Sequence, residues 1–339
     1  MKTLSKKDLK GMLKAWSGEY DVLAPAKKAQ GDVIFESFQE DSFTLDYGKP
    51  PLPPKSSFLP HTEVIFEVAK NEFREVMAAK PTILFGIRSC DMMGLMQSAS
   101  FMTRGWEDVY YRTKMDNTVT IVMACSGPQN ETCFCTTTQS GPVAENYFDL
   151  MFYDMGDHFI IATGSRKGTD LLSPFSLNDM DDAEAQQKTG AFKEKAIQSI
   201  PRVEAVMEAM KKLADGAADE NVWEYLGNKC IMCGGCAFVC PTCTCFNVYD
   251  EETQPGSGTR ARSWDACLYG GFTREASGHN PRHTQALRLR RRHEHKLLYY
   301  NETDIQSALC GCVGCGRCSD FCPVHIGTLE VAKAITNYK

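Results

Sequence analysis

The 339-residue chain lacks the usual sequence marks of a nucleotide-binding or triad-bearing enzyme. No G-x-G-x-x-G follows a strand-like run, no P-loop occurs, and no catalytic-triad signature is found. Gly164-Ser-Arg-Lys-Gly-Thr169 lacks the Walker spacing and reads as a turn and helix start. The chain therefore offers no nucleotide cradle of its own. No apolar run approaches the roughly 20 residues that span a bilayer. Met1 to Lys10 has no apolar core of an export signal, so a cytoplasmic protein is expected. A net charge of -6 argues against nucleic acid as the main partner. Low-complexity tracts are absent, and no repeat is found beyond two cysteine runs. What remains is ordinary globular composition, 43% hydrophobic and 24% charged, with one excess: 16 cysteines. In a reducing compartment such thiols serve metals rather than disulfides.

The two runs lie near the C-terminal end. Cys230-Ile-Met-Cys233-Gly-Gly-Cys236-Ala-Phe-Val-Cys240-Pro241 and Cys312-Val-Gly-Cys315-Gly-Arg-Cys318-Ser-Asp-Phe-Cys322-Pro323 both read C-x2-C-x2-C-x3-C-P. This is the spacing by which bacterial ferredoxins hold [4Fe–4S] clusters. Three thiolates two residues apart on a tight loop can converge on three irons of one cube. The fourth starts a helix leading away and, in two-cluster ferredoxins, ligates the other cluster. The expectation is one cluster on Cys230, Cys233, Cys236 and Cys322, and a second on Cys312, Cys315, Cys318 and Cys240. Gly234, Gly235, Gly314 and Gly316 suit close backbone approach to such a group. Disulfides or structural zinc fit two four-cysteine runs closed by proline less well.

Eight cysteines are left over. Cys243, Cys245 and Cys267 read either as thiols that surround the first run and tune its potential or as ligands of a further cluster. Cys90, Cys125, Cys133 and Cys135 come from strand ends and a following loop. They read as buried thiols, or as ligands of a third [4Fe–4S] cluster or a zinc ion. Cys310 is an extra thiol.

The expected fold class is α+β: an N-terminal α/β-type docking domain, residues 1–215, then a mostly α-helical, two-cluster ferredoxin-like domain, residues 216–339. Lys7–Trp16 reads as a helix, residues 32–46 as two strands, and Pro50–Pro54 as an extended connector. Glu63–Ala79 has apolar residues at helical spacing (Ile65, Phe66, Val68, Phe73, Val76, Met77) and is expected to be a helix. Thr82–Ile87 and Thr118–Ala124 read as buried strands, each ending where α/β domains place sites. Phe148–Thr163 reads as a hairpin. Residues 177–188 are polar and acidic, and Ala191–Ala214 reads as a helix kinked at Pro201. Val222–Leu226 reads as a helix, and the segment after Pro281 as mostly helical.

With these motifs in view, the chain resembles a family of iron–sulfur electron-transfer subunits, typified by that of anaerobic sulfite reductase and by the beta subunit of sulfhydrogenase. The iron–sulfur subunit of flavin-oxidoreductase-linked heterodisulfide reductase systems is similar. The resemblance rests on Cys230 to Cys245, Arg262-Ser-Trp-Asp-Ala-Cys267, Gly278-His-Asn-Pro281, His295-Lys296 and Cys312 to Pro323. In the N-terminal half it rests on Gly86-Ile-Arg-Ser-Cys-Asp91, Asp108 to Arg112 and Cys133-Phe-Cys135. It implies a subunit that is not catalytic alone. A partner of ferredoxin–NADP reductase type would carry FAD and take hydride from NAD(P)H. This chain would pass single electrons to a sulfite reductase, heterodisulfide reductase or NiFe hydrogenase. The competing readings are a substrate-reducing subunit with a further cysteine-bound metal and a redox-sensing iron–sulfur protein.

Other polar residues have milder readings. The stretch of Arg288, Arg290, Arg291, Arg292, His293 and His295 reads as a solvated helix face or docking patch. His279 and His283 read as hydrogen-bonded rather than metal-bound. Arg88 and Asp91 read as a structural ion pair, the alternative being contact with a partner's flavin. Ile231, Met232, Phe238, Val239 and Phe321 are expected to shield the clusters.

Overall fold

The computed structural model describes residues 1–70, 72–77, 80–301 and 309–338. In chain order its elements are β1 (Lys2–Ser5), α1 (Leu9–Trp16), β2 (Asp21–Lys27), β3 (Val33–Ser37), β4 (Thr62–Ala69), β5 (Glu72–Glu75), β6 (Thr82–Ile87), α2 (Ser89–Thr103), α3 (Val109–Asp116) and β7 (Thr118–Met123). There follow β8 (Leu150–Asp154), β9 (His158–Thr163), α4 (Arg166–Leu172), β10 (Asn178–Asp179), α5 (Asp182–Ser199), α6 (Glu204–Ala214) and α7 (Glu220–Lys229). Last come α8 (Gly235–Phe238), β11 (Phe246–Gln254), β12 (Ser257–Trp264), α9 (Gln285–Leu297), α10 (Arg317–Phe321) and α11 (Thr328–Asn337).

The N-terminal strands form an eight-stranded sheet in the order β10-β1-β9-β8-β7-β6-β2-β3. Its centre is parallel, β2 on β6, β6 on β7 and β7 on β8. The strands alternate between two cores. Ile83, Phe85, Ile121 and Met123 face the core closed by α1, with Leu13 and Trp16. Leu84, Ile87 and Val122 face the core closed by α2 and α3, with Leu95 and Tyr111. Both faces are covered, so these strands read as unbroken apolar runs. The C-terminal helices α6, α7, α9 and α11 enclose a third core against which both cysteine runs pack. The chain is thus mixed α/β, an N-terminal sheet followed by a helical, cysteine-bearing region.

Several expectations need correction. Residues 62–69 and 72–75 are strands, not helix, while residues 71, 78 and 79 of the expected helix lie outside the described residues. Their partner is distant: β4 pairs antiparallel with β12, giving a second sheet in the order β11-β12-β4-β5. Val64, Ile65 and Val68 suit that half-buried pleat, and tertiary pairing overrides the helical spacing. The β11–β12 hairpin itself was unforeseen, because Cys240 leads through Pro241 into a turn and then a strand, not a helix. This sheet joins chain from either side of residue 215. In the polar, acidic segment 177–188, α5 starts at Asp182, where the Asp181 side chain accepts from the Ala183 and Glu184 amides. It ends at Ser199, and α6 restarts at Glu204, so Pro201 separates two helices rather than kinking one. Of residues 32–46 only Val33–Ser37 form a full strand, with a single bridge at Phe43. Residues 302–308, in the stretch read as mostly helical after Pro281, lie outside the described residues.

Candidate metal centre

The two cysteine runs fold alike. Gly234 and Gly316 each take the left-handed conformation, with φ 73° at both, and each starts the short helix that carries the third cysteine. A left-handed residue at that point turns the chain sharply, which glycine permits without strain. Cys230 is fixed as the C-cap of α7, its amide donating to Leu226 and Gly227 carbonyls at 3.1 Å. Across the chain, Cys322 comes to the same place. One cavity is lined by Cys230, Cys233, Cys236 and Cys322, closed by Leu268, Leu289, Val324 and Ile326. In the second group, Cys315 has the Cys240 and Cys318 thiols as electrostatic neighbours, and Cys312 has Cys318 and Cys315. The groups adjoin, for Cys236 has Cys318 beside it.

Backbone N–H groups point at sulfur. Gly314 donates to Cys312 Sγ at 3.4 Å, Ile326 to Cys322 Sγ at 3.4 Å and Thr328 to Cys318 Sγ at 3.3 Å. Such donors stabilise a thiolate and raise a cluster's potential.

Buried cations surround the thiols, and sequence reasoning missed most of them. Lys55, Arg292 and Lys296 are all under 5% exposed. Lys55 Nζ donates to the Ala237 and Cys243 carbonyls at 3.2 and 3.1 Å and lies over the Trp264 ring. Lys296 Nζ bonds Thr242 Oγ1 at 2.7 Å. Burial works against its charge, but the Cys240 and Cys243 thiols beside it lift its pKa above the usual lysine value. Arg292 donates to the Cys236 carbonyl at 2.7 Å, while its Nε has no partner among the described residues. Among the described residues Lys55, Arg292 and Lys296 have no carboxylate partner, and buried cations are costly unless an anion lies among them. Four thiolates on a [4Fe–4S] cube form such an anion, so the residues present fit the group. The sequence offered little clue to Lys55, a lysine directly after the proline-rich link Pro50–Pro54.

Arg292, His293, Glu294 and Lys296 are buried, so the basic stretch on α9 is not a wholly solvated face. His293 is held neutral, its pKa pushed down to about 3 by burial and by Arg292. The expected Arg88–Asp91 pair is replaced by a buried pair between Asp91 and Arg317, with Nη2–Oδ2 at 2.9 Å. Arg88 instead stacks on Tyr47 and donates to Gly48 O at 3.0 Å. Val239 is buried, but Ile231 and Phe321 are themselves exposed, so they cover less than expected. His279 and His283 are exposed.

Of the remaining cysteines, Cys310 donates to the Cys312 carbonyl at 3.3 Å, and the other seven form two groups. Cys243 bonds the Cys240 thiol, and Cys245 bonds Cys267, which holds the Cys245 thiol down to about 6. Cys90, Cys125, Cys133 and Cys135 gather at the C-terminal ends of β6 and β7, against the second run. Among the described residues no three His, Cys, Asp or Glu side chains are drawn to one point as a single ion requires.

The comparisons with known proteins follow this geometry. Residues 229–326 match the family described as a 4Fe-4S dicluster domain. The class is therefore that of two-cluster iron–sulfur proteins of electron transport. The Sulfhydrogenase 2 subunit beta of Pyrococcus furiosus is 31% identical over 296 residues, covering 86% of this chain and 85% of that protein. The chain belongs to the same iron–sulfur subunit family. No solved structure matches it. Among the described residues no helix is long and apolar enough to cross a membrane.

Proposed function

We propose that the chain is an electron-transfer subunit of a cytoplasmic anaerobic oxidoreductase complex. It passes single electrons between an FAD- and NAD(P)H-binding partner of ferredoxin–NADP reductase type and a terminal reductase or hydrogenase. Cys230, Cys233, Cys236 and Cys322 hold one [4Fe–4S] cluster; Cys312, Cys315, Cys318 and Cys240 hold the other. When bound, these clusters supply reversible one-electron chemistry. The protein's own part is to fix the thiolates, direct backbone N–H groups and buried cations at them, and exclude water with Leu289, Val313 and Ile326. Residues 1–215 serve as the docking domain for the flavin partner.

The observation that carries this reading is the shared cavity of Cys322 with Cys230, Cys233 and Cys236. The test is Cys322→Ser in anaerobically purified protein. Its EPR change is expected in the cluster of the first run, with NAD(P)H-to-viologen transfer by the reconstituted complex reduced at least about tenfold. A change confined to the signal of Cys312, Cys315 and Cys318 sinks the crossed assignment. Failure of any flavoprotein partner to reduce the intact chain sinks the relay.

A further inference from the structure

Cys90, Cys125, Cys133 and Cys135 come from three separate segments, and one loop gathers them. Cys90 is the second residue of α2, a 15-residue helix whose N-terminus favours negative charge. Cys125 follows β7, the parallel neighbour of β6. Between these strand ends sits Gly141-Pro142. The Pro142 carbonyl accepts from Ser89 Oγ at 2.8 Å and from the Cys125 amide at 3.2 Å. A Cβ on Gly141 would lie 3.2 Å from Cys135 Sγ and 3.5 Å from Ser89 Cβ. The Cys133-Phe134-Cys135 loop is therefore pinned beside Cys90 and Cys125.

The same loop rests on the second ferredoxin run. The Phe134 amide donates to Gly314 O at 2.8 Å. Cys90 packs with Met93, Val313 and Cys315 in a small apolar cluster. Charge completes the picture. Arg88 is 6% exposed, its guanidinium donates to the neutral carbonyls of Tyr47 and Gly48, and the Cys125 and Cys90 thiols are its electrostatic neighbours. A buried guanidinium bonded to neutral carbonyls, with Asp91 already engaged by Arg317, calls for an anion near those thiols.

We propose that Cys90, Cys125, Cys133 and Cys135 hold a third iron–sulfur cluster, adjoining the second through Cys315. A cube takes one thiolate at each corner, so four thiols from three segments can serve it without meeting at a single ion as zinc requires. The site needs no partner to form, but its role as a relay rests on the reading above. That role is one electron in and one electron out, with no bond made or broken. A cavity of about 360 Å³ lined by Ser89, Gly141, Pro142 and Lys193 opens beside it, so the relay would reach the surface on the α/β side as well as at the first run.

The test uses the full chain, purified anaerobically and supplied with iron and sulfide, with iron, sulfide and zinc measured per chain. The wild type is expected to hold about twelve irons, and Cys125→Ser/Cys135→Ser about eight with both ferredoxin-run EPR signals kept. Cys245→Ser/Cys267→Ser is expected to stay at about twelve. A wild type holding about eight irons, or one zinc in place of the third set, overturns the third cluster and leaves the two-run reading standing. A content of about four or fewer overturns both. Should the double variant not fold, Cys133→Ser alone is expected to lose at least one iron, and an unchanged count overturns the proposal.

Discussion

At the first cysteine run Cys233 is exposed, and the neighbouring Ile231 and Phe321 keep 59% and 51% of their surface. At the second, Cys315 and Cys318 keep 8% and 9%, and the N-terminal region lies directly on the loop. Lys49 reaches Asp320 at 3.0 Å, Thr132 reaches the same carboxylate at 2.7 Å, and Arg317 bonds the Pro50 carbonyl at 2.8 Å. Yet the two loops have one spacing and one backbone, down to Gly234 and Gly316. The motif governs how thiols converge, while the rest of the chain governs how wet they are and what can reach them. Solvent exposure and nearby charge are the levers that separate the potentials of like clusters. The first run is open to solvent, and the second is enclosed by the N-terminal region.

The sharpest way to break this contrast is at the Asp91–Arg317 pair, which seals the second run and is buried on both sides. Asp91→Ala leaves the guanidinium buried with no counter-charge, a loss of about 3–5 kcal/mol. The second cluster is expected to fall out, with about four irons lost per chain, while the first run's EPR signal persists. Equal loss of both signals would mean that the two runs are not separately supported.

A milder probe compares two glycines. A Cβ on Gly314 would meet the Phe134 carbonyl at 2.6 Å and the Cys135 amide at 2.7 Å, and its φ is +57°. Backbone cannot swing aside, so Gly314→Ala is expected to cost roughly 2–3 kcal/mol from clash and left-handed strain. A Cβ on Gly235, at the first run, would strike only the ring of Phe321, which is half in solvent and can rotate. Gly235→Ala is expected to cost less than about 1 kcal/mol. Denaturant melts of the two variants under argon check the ranking, and a reversed order contradicts it.

How much of this was legible follows from the range of each interaction. The runs, the α2 cysteine and the parallel strands β6 and β7 could be read, because spacing and apolar runs are local signals. The β4–β12 pairing could not, because Ile65, Phe66 and Val68 fit a helix until strand 257–264 arrives beside them. Nor could the cations. Lys296 and Arg292 sat in a stretch that looked solvated, and only the packing of α9 against the cysteine loops turns them inward. Arg317 lay within the motif itself, but its partner Asp91 is far away in sequence. What the sequence concealed is the set of long-range contacts that make two identical motifs unlike.

The smallest expected effect tests whether those hidden cations divide their influence between the runs. Lys296 has Cys240 and Cys243 as its nearest thiols, and Cys240 is assigned to the second cluster. Arg292 has Cys236 of the first cluster as its foremost thiol neighbour, followed by Cys318 of the second. Reduction adds negative charge, and a nearby ammonium favours it. Lys296→Met removes that ammonium, keeps the apolar stem, and gives up the bonds to Thr242. The reduced state of the second cluster then loses on the order of 1–2 kcal/mol of electrostatic support, so its potential falls. The first cluster, whose neighbour Arg292 is untouched, should move by less than half as much. A redox titration followed by EPR reads both clusters in one sample. Equal shifts would place Lys296 midway between the clusters and refute the division, and a rise in the second potential would refute the sign.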